Sequence, residues 1–390
     1  MLPFLRWTTG GNGLLKESEC QSAWSNVSAV QFGLSTLFCE DKEKGMTDQQ
    51  WDLLKRVVRG DLVEPLPVGF IIDCPWLPGW YGIRIIDYFT NDQRWLDANL
   101  KALNEFPDVM FLPGFWSEYG MCTEPSAFGA RCVFPPNEFP HAHPVIASPE
   151  DLEMLPAPNP RTDGLLPFVL NRLKLAQPGI EAAGHRIRFA VSRGPLNIAS
   201  YLMGMTEFLT LLLTHPEEAE SLLKRITAFV KEWLAVQREA FPTIDGILLL
   251  DDIIGFMGER EFQRFGLPYF SELYDSDVAI RFLHNDAPCK ISAPFLPEIG
   301  VNLFNMGFDV TLNELKTLTK NSVTLLGNIP PRDVLANGTP AEVGAATREL
   351  VGSLTDRSRV ILSCGGGMPP SVSTANIKSF IEAVIESSGS

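Results

Sequence analysis

No stretch of this chain approaches the ~20 consecutive apolar residues that a membrane-spanning helix needs. The start, Met1-Leu-Pro-Phe-Leu-Arg-Trp7, carries one basic residue and no long apolar run. Neither a membrane span nor a secretory leader is expected, and the expected location is the cytoplasm. Positive charge is scarce too: 32 Lys and Arg face 47 Asp and Glu, for a net charge of −15. Nucleic acid and anionic membranes are bound by clustered Lys and Arg, which are missing here, so neither is an expected partner. The seven cysteines, at positions 20, 39, 74, 122, 132, 289 and 364, are odd in number and scattered. That pattern suits reduced thiols rather than a disulfide framework. No Pro/Gly/Ser-rich linker divides the body of the chain.

What is present is enough for a large core: 390 residues, 45% of them hydrophobic. Residues 1–60 read as an N-terminal extension that wraps or caps the body, followed by a helix. That helix opens at Thr47-Asp-Gln-Gln50, which resembles a capping box, and Trp51, Leu53, Leu54 and Val57 keep helical spacing up to Gly60. From residue 61 to 390, short apolar runs alternate with helical stretches. The strand candidates are Val68–Ile72, Val109–Leu112, Arg188–Ser192, Gly246–Leu250, Ile280–Leu283, Val301–Phe304, Val323–Leu326 and Val360–Leu362. Near-continuous apolar strands in β-then-α rhythm indicate a parallel sheet. Eight of them predict a single α/β domain, a (β/α)8 TIM barrel with an N-terminal extension; a doubly wound open sheet has a similar pattern.

In a parallel barrel the C-terminal strand ends converge on one face. His284, with Asp286 two places on, ends one apolar run, and Cys364 ends another before Gly365-Gly366-Gly367. Imidazole, carboxylate and thiolate are zinc ligands, and three of them leave a fourth position open for substrate. His284, Asp286 and Cys364 are therefore the expected metal ligands, with Cys289 a rival. Asp251 and Asp252 follow the most apolar strand, Gly246–Leu250, and are candidate catalytic residues, as ligands, proton handlers or groups that orient a ligand. Neighbouring residues at a strand end point to opposite sides, so only one of them can face the pocket. Trp76, Trp80, Tyr81, Phe115 and Trp116 lie on loops after the first two strands and are the expected substrate-binding wall for a flat apolar ligand.

These residues carry a resemblance. Over about residues 65 to 388 the chain resembles the uroporphyrinogen decarboxylase superfamily, and within it the branch of zinc-dependent corrinoid methyltransferases. The features are Glu124-Pro-Ser-Ala-Phe128-Gly129, Asp251-Asp252 followed by Phe262 to Tyr269, His284-x-Asp286, Leu296-Pro-Glu298-Ile-Gly300-Val301, Leu326-Gly327-Asn328 and Cys364-Gly365-Gly366. The resemblance implies the barrel, and it implies zinc ligation by a His-x-Cys pair with a later Cys. Asp286 stands here in place of the first of those cysteines. The decarboxylases of the superfamily carry an N-terminal Arg-Gln-Ala-Gly-Arg type of segment that grips propionates; residues 70–81 are largely apolar and contain no Arg, which speaks against a porphyrinogen tetra-acid.

The function that the resemblance implies is methyl transfer from a small methoxylated, favourably aromatic, substrate to the cobalt of a corrinoid carried by a separate protein. Zinc would act as a Lewis acid on the substrate heteroatom. The alternatives are a cofactor-free decarboxylase using Asp251 or Asp252, and a binding module without chemistry.

Overall fold

The computed structural model describes residues 47–388; the extension expected over residues 1 to about 45 lies outside them. Eight parallel strands form one sheet: β1 (Val68–Ile71), β2 (Val109–Leu112), β3 (Phe189–Arg193), β4 (Gly246–Leu250), β5 (Ile280–Asn285), β6 (Leu303–Met306), β7 (Thr324–Ile329) and β8 (Val360–Cys364). Their order, β2-β1-β8-β7-β6-β5-β4-β3, is the cyclic order of a (β/α)8 barrel, with the seam between β2 and β3. Each strand coincides with one of the eight apolar runs to within a few residues. Between β2 and β3 the chain also makes a short antiparallel pair, Cys132–Val133 with His141–Ala142, which the sequence pattern does not announce.

Two apolar layers hold the barrel. The larger lies between the sheet and the surrounding helices. The smaller fills the interior with every second strand residue, among them Ile71, Met110, Phe189, Leu248, Leu250, Phe282, Leu303, Leu326 and Ile361. The helix Asp48–Arg59 closes the N-terminal end, laying Trp51, Leu54, Val57 and Val58 against that interior. Its start is only half the expected box: Thr47 Oγ1 accepts from Gln50 N, while the Gln50 amide donates to the carbonyls of Pro107 and Val109. Trp51 meets Phe189 edge to face with ring centroids 5.4 Å apart. Arg359 fastens the helix end by donating to the carbonyls of Val58 and Arg59.

Helices separate the strands as the β-then-α rhythm predicts, and Trp76–Tyr81 and Pro195–Met203 are helical where no helix was expected. After β4 the chain forms two helices, Glu259–Phe265 and Leu267–Tyr274, broken at Gly266. The helix near Leu165 runs through Pro178 to Ala182. No single helix of the described residues is long and apolar enough to cross a membrane.

Candidate active site

Strand alternation builds the site. With Ile71, Leu250, Phe282, Leu303, Leu326 and Ile361 facing the interior, the next inward positions are Asp73, Asp252, His284, Asn305, Asn328 and Ser363. Arg193 takes the same place on β3, beyond Phe189 and Val191. The interior thus changes from apolar to polar within one residue step. A cavity of about 280 Å³ opens there, lined by Asp73, Arg193, Asp252 and His284 from this ring. Glu118, Trp116, Phe139, Asn197, Tyr201 and Asp286 also line it, with Met368, Pro369 and Pro370 from the loop after β8.

One wall is an imidazole between carboxylates. His284 is buried, and its Nδ1 lies 2.7 Å from Asn305 Oδ1. Because the Asn305 amide nitrogen already donates to Leu326 O, its oxygen faces the ring and Nδ1 must carry the proton. Nε2 is left turned to Asp286 Oδ1 at 3.5 Å. Burial works against the imidazolium, but Asp286 and Asp252 outweigh it and raise the pKa of His284. Asp252 Oδ1 accepts from Asp286 N at 2.7 Å, which ties the ends of β4 and β5 together. Gly366, at φ 71°, lets the loop after β8 lie against Asp286: a Cβ there would stand 2.0 Å from Oδ1.

The other wall is a buried charge network. Arg193 Nη2 lies 2.6 Å from Glu118 Oε2, and Nη1 lies 3.7 Å from Glu124 Oε2. Glu124 Oε1 accepts from Arg193 N at 3.0 Å and from Ser192 Oγ at 3.3 Å. Asp73 accepts at Oδ1 from the Tyr88 hydroxyl at 2.9 Å. Burial, then the adjacent Glu118, push its carboxyl well above the ordinary range. The helix Pro195–Met203 adds Asn197 and Tyr201, one turn apart, to the lining. Burial raises the Tyr201 hydroxyl to about 12. The opposed carboxyls Asp73 and Glu118, and the pair Asn197 and Tyr201, escaped the sequence reading. Asp73 carried the same signal as Asp252, a carboxylate just past an apolar strand.

The expected site residues divide. Asp252 lines the cavity. Asp251 is fully buried and turned into the wall, where Oδ2 accepts from Leu196 N and Asn197 N and Oδ1 accepts from Ile253 N. It anchors the first turn of the helix Pro195–Met203 to β4, and Gly194 makes room for it, since a Cβ there would lie 2.3 Å from Asp251 Oδ2. Of the five aromatics, Trp116 lines the cavity, beneath the Arg193 guanidinium at 5.8 Å. Trp76 is buried in the outer core and donates to Val372 O. Trp80 stacks on Trp76 and donates to Thr374 Oγ1, and Lys101 lies over the rings of Trp80 and Tyr81. Phe115 packs on Trp95 and His185. These four contribute to packing and are not among the cavity-lining residues.

The donor set fits a zinc ion in part. His284 and Asp286 face the cavity together. Cys364 does not join them: Ile361 faces the interior, so alternation turns Ser363 inward and Cys364 into the outer core. Its Sγ lies 3.8 Å from the carbonyls of Gly366 and Gly367, and burial, then the charge of nearby Asp286, raise the thiol to about 12. Cys289 is likewise buried in the outer core, its thiol raised to about 12 by burial. Among the described residues no group of three His, Cys, Asp or Glu side chains is placed to hold a metal ion.

The family model described as uroporphyrinogen decarboxylase (URO-D) matches residues 82–387. The chain belongs to the URO-D family. Among its relatives, the uroporphyrinogen decarboxylase of Dichelobacter nodosus is 23% identical over 355 residues, covering 86% of this chain and 97% of the relative. That of Chlorobium luteolum is 24% identical over 265 residues, covering 63% and 71%. Among solved structures, a methyltransferase from Methanosarcina mazei superposes with a TM-score of 0.70 at 20% identity, over 85% of this chain and 97% of the other. A B12-independent methionine synthase from Shewanella sp. W3-18-1 gives 0.51 at 11% identity, over 83% and 97%. At these identities the structural likenesses speak to the fold. The URO-D match covers seven of the eight strands and every inward polar position except Asp73, which precedes it.

Proposed function

We propose that this URO-D family enzyme is a methyltransferase that takes a methyl group from a small methylated substrate, a methoxylated aromatic ether being the favoured donor. The acceptor in this reading is the cobalt of a corrinoid carried by a separate protein. The observation that carries the reading is the cavity: about 280 Å³, with Asp73, Glu118, Asp252 and Asp286 against one Arg in its lining. That Arg is already engaged by two glutamates. Such a lining repels a polycarboxylate tetrapyrrole and accepts a small neutral molecule, with Trp116 and Phe139 offering flat apolar contact. Within it Asp252 and Asp286 orient His284, and His284 faces the heteroatom of the bound substrate.

Zinc belongs to this reading with His284 and Asp286 as cavity-facing donors, and it would supply Lewis acidity at the substrate heteroatom. Cys364 can complete the set only if its thiol leaves the Gly366 and Gly367 carbonyls, so zinc content measured on the purified protein and on Cys364→Ala tests this part separately. A second reading, decarboxylation of a small acid, is favoured by the names of the relatives. Incubation with methoxylated aromatics and free cob(I)alamin separates the two. Formation of methylcobalamin supports methyl transfer; release of CO2 from small carboxylic acids, with no methylcobalamin, refutes it.

A further inference from the structure

On the Arg193 side of the cavity two glutamates share one cation, and a third carboxyl, Asp73, lies beside Glu118. Asp73 is 8% exposed, Glu118 and Glu124 are 2% exposed each, and Arg193 is 5% exposed. Fully ionised, this group would hold three negative charges and one positive charge out of water, which a protein interior does not support. At least one proton must stay. Burial raises the Glu124 carboxyl too, but the Arg193 charge and the bonds that Oε1 accepts from Arg193 N and Ser192 Oγ oppose the proton there. Glu118 has the guanidinium 2.6 Å from Oε2, although neither of its oxygens receives a well-aligned hydrogen bond. Asp73 touches no cation. Burial and the charge of Glu118 favour a proton on it, and they outweigh the Tyr88 hydroxyl and the Cys74 backbone N–H, which donate to it and favour the carboxylate. Its Oδ2 is buried with no partner, and the residue lines the cavity. Two carboxyls in contact with a single proton between them form an acid that stays loaded at neutral pH.

We propose that Asp73 and Glu118 hold one shared proton at the cavity wall, and that Asp73 Oδ2 delivers it to the leaving atom of the substrate. The step rests on the methyl-transfer reading. As the electron pair of the reduced corrinoid, the methyl acceptor, forms its bond to the methyl carbon, the carbon–oxygen bond breaks. The ether oxygen keeps that pair and takes the proton from Asp73, leaving as the neutral alcohol or phenol. Asp73, now a carboxylate beside Glu118, recovers its proton from water. The Arg193 guanidinium, 2.6 Å from Glu118 Oε2, sets the proton on the Asp73 side of the pair, and Glu118 is in this sense a positioning residue.

Two measurements on the full chain test this. Infrared spectra of wild type at pH 7 are expected to show a protonated-carboxyl C=O band that Asp73→Asn removes; its absence from wild type overturns the shared proton. In the cob(I)alamin assay with a methoxylated aromatic, Asp73→Asn is expected to lower kcat by about 100-fold or more, the usual worth of a general acid, with KM little changed. The alkaline fall of the wild-type rate should disappear in Asp73→Asn and move to lower pH in any Glu118 variant that no longer shares the proton, Glu118→Gln being the mildest. A wild-type kcat and pH profile in both variants overturns the proton-donor role. If wild type transfers no methyl group yet shows the infrared band, the methyl-transfer reading and the delivery step fall together, while the shared proton stands.

Discussion

At the N-terminal end of the barrel the interior is filled by Phe189, Leu248 and Ile280 under the plug of Trp51, Leu54, Val57 and Val58; at the C-terminal end the same strands lead to Arg193, Asp252 and His284, joined by Asp73 after β1. Both ends are buried, yet one is held by apolar packing and the other by paired charge. Nothing in the strand geometry distinguishes them, because the alternation continues unbroken from one layer to the next. The difference is one of residue choice. Stability is concentrated where burial is cheap, and chemistry where a buried charge must find a partner.

The largest effects expected separate the two kinds of burial by their pH response. Trp51→Ala empties the plug and should cost about 3–5 kcal/mol, the range for large aromatic truncations, at any pH. Arg193→Leu leaves Glu118 and Glu124 buried without a cation and should cost about 3–5 kcal/mol near neutrality. That second defect should shrink as pH falls, because the stranded glutamates protonate. Denaturant melts at pH 5 and pH 8 on both variants check this; equal pH dependence would contradict the distinction.

A middle-sized effect is expected from the two neighbouring aspartates. Asp251→Asn loses an acceptor for the N–H groups of Leu196, Asn197 and Ile253 and should destabilise by about 1–3 kcal/mol. Asp252→Asn keeps an oxygen to accept from Asp286 N, should leave the melt within about 0.5 kcal/mol, and should slow turnover by roughly 10–100-fold because it withdraws a charge from His284. Finding the stability loss at Asp252 and not at Asp251 would invert the assignment.

The smallest effect is one of sign. Asp73 has its pKa raised in the folded chain above the ordinary 3.8, by burial and then by Glu118. Between those two values the folded state binds more protons than the unfolded one, so the stability this group contributes is whole below the ordinary carboxyl range and is lost as pH rises through the raised pKa. Asp73→Asn removes that titration. Its melting temperature relative to wild type should therefore improve as pH goes from 4 to 8, and a worsening trend would count against the raised pKa.

All eight strands were legible in the sequence because each is an uninterrupted apolar run, the mark of a strand buried on both faces. The polar ends of β4 and β5 were legible for the same reason: Asp252 and His284 follow such runs directly, and Asp73 after β1 carried the same signal unused. What the sequence could not supply was which side chains meet. Trp76 was an exposed-loop aromatic by position, but its indole N–H is satisfied by Val372, far along the chain. Cys364 and Ser363 exchange roles on a single-residue change of parity, set by Ile361 facing inward. Glu118 became a neighbour of Asp73 only because β1 and β2 pair in register from Val68 with Val109 to Ile71 with Leu112.

The central claim is that a small methylated substrate reacts at the charged end of the barrel and not elsewhere. It is tested most directly by methyl transfer from methoxylated aromatics to free cob(I)alamin, measured side by side on wild type, His284→Ala and Trp51→Phe, with circular dichroism to verify the fold. The account predicts transfer in wild type and in Trp51→Phe, and a loss of about 100-fold or more in His284→Ala with the fold intact. Wild-type transfer in His284→Ala would contradict it.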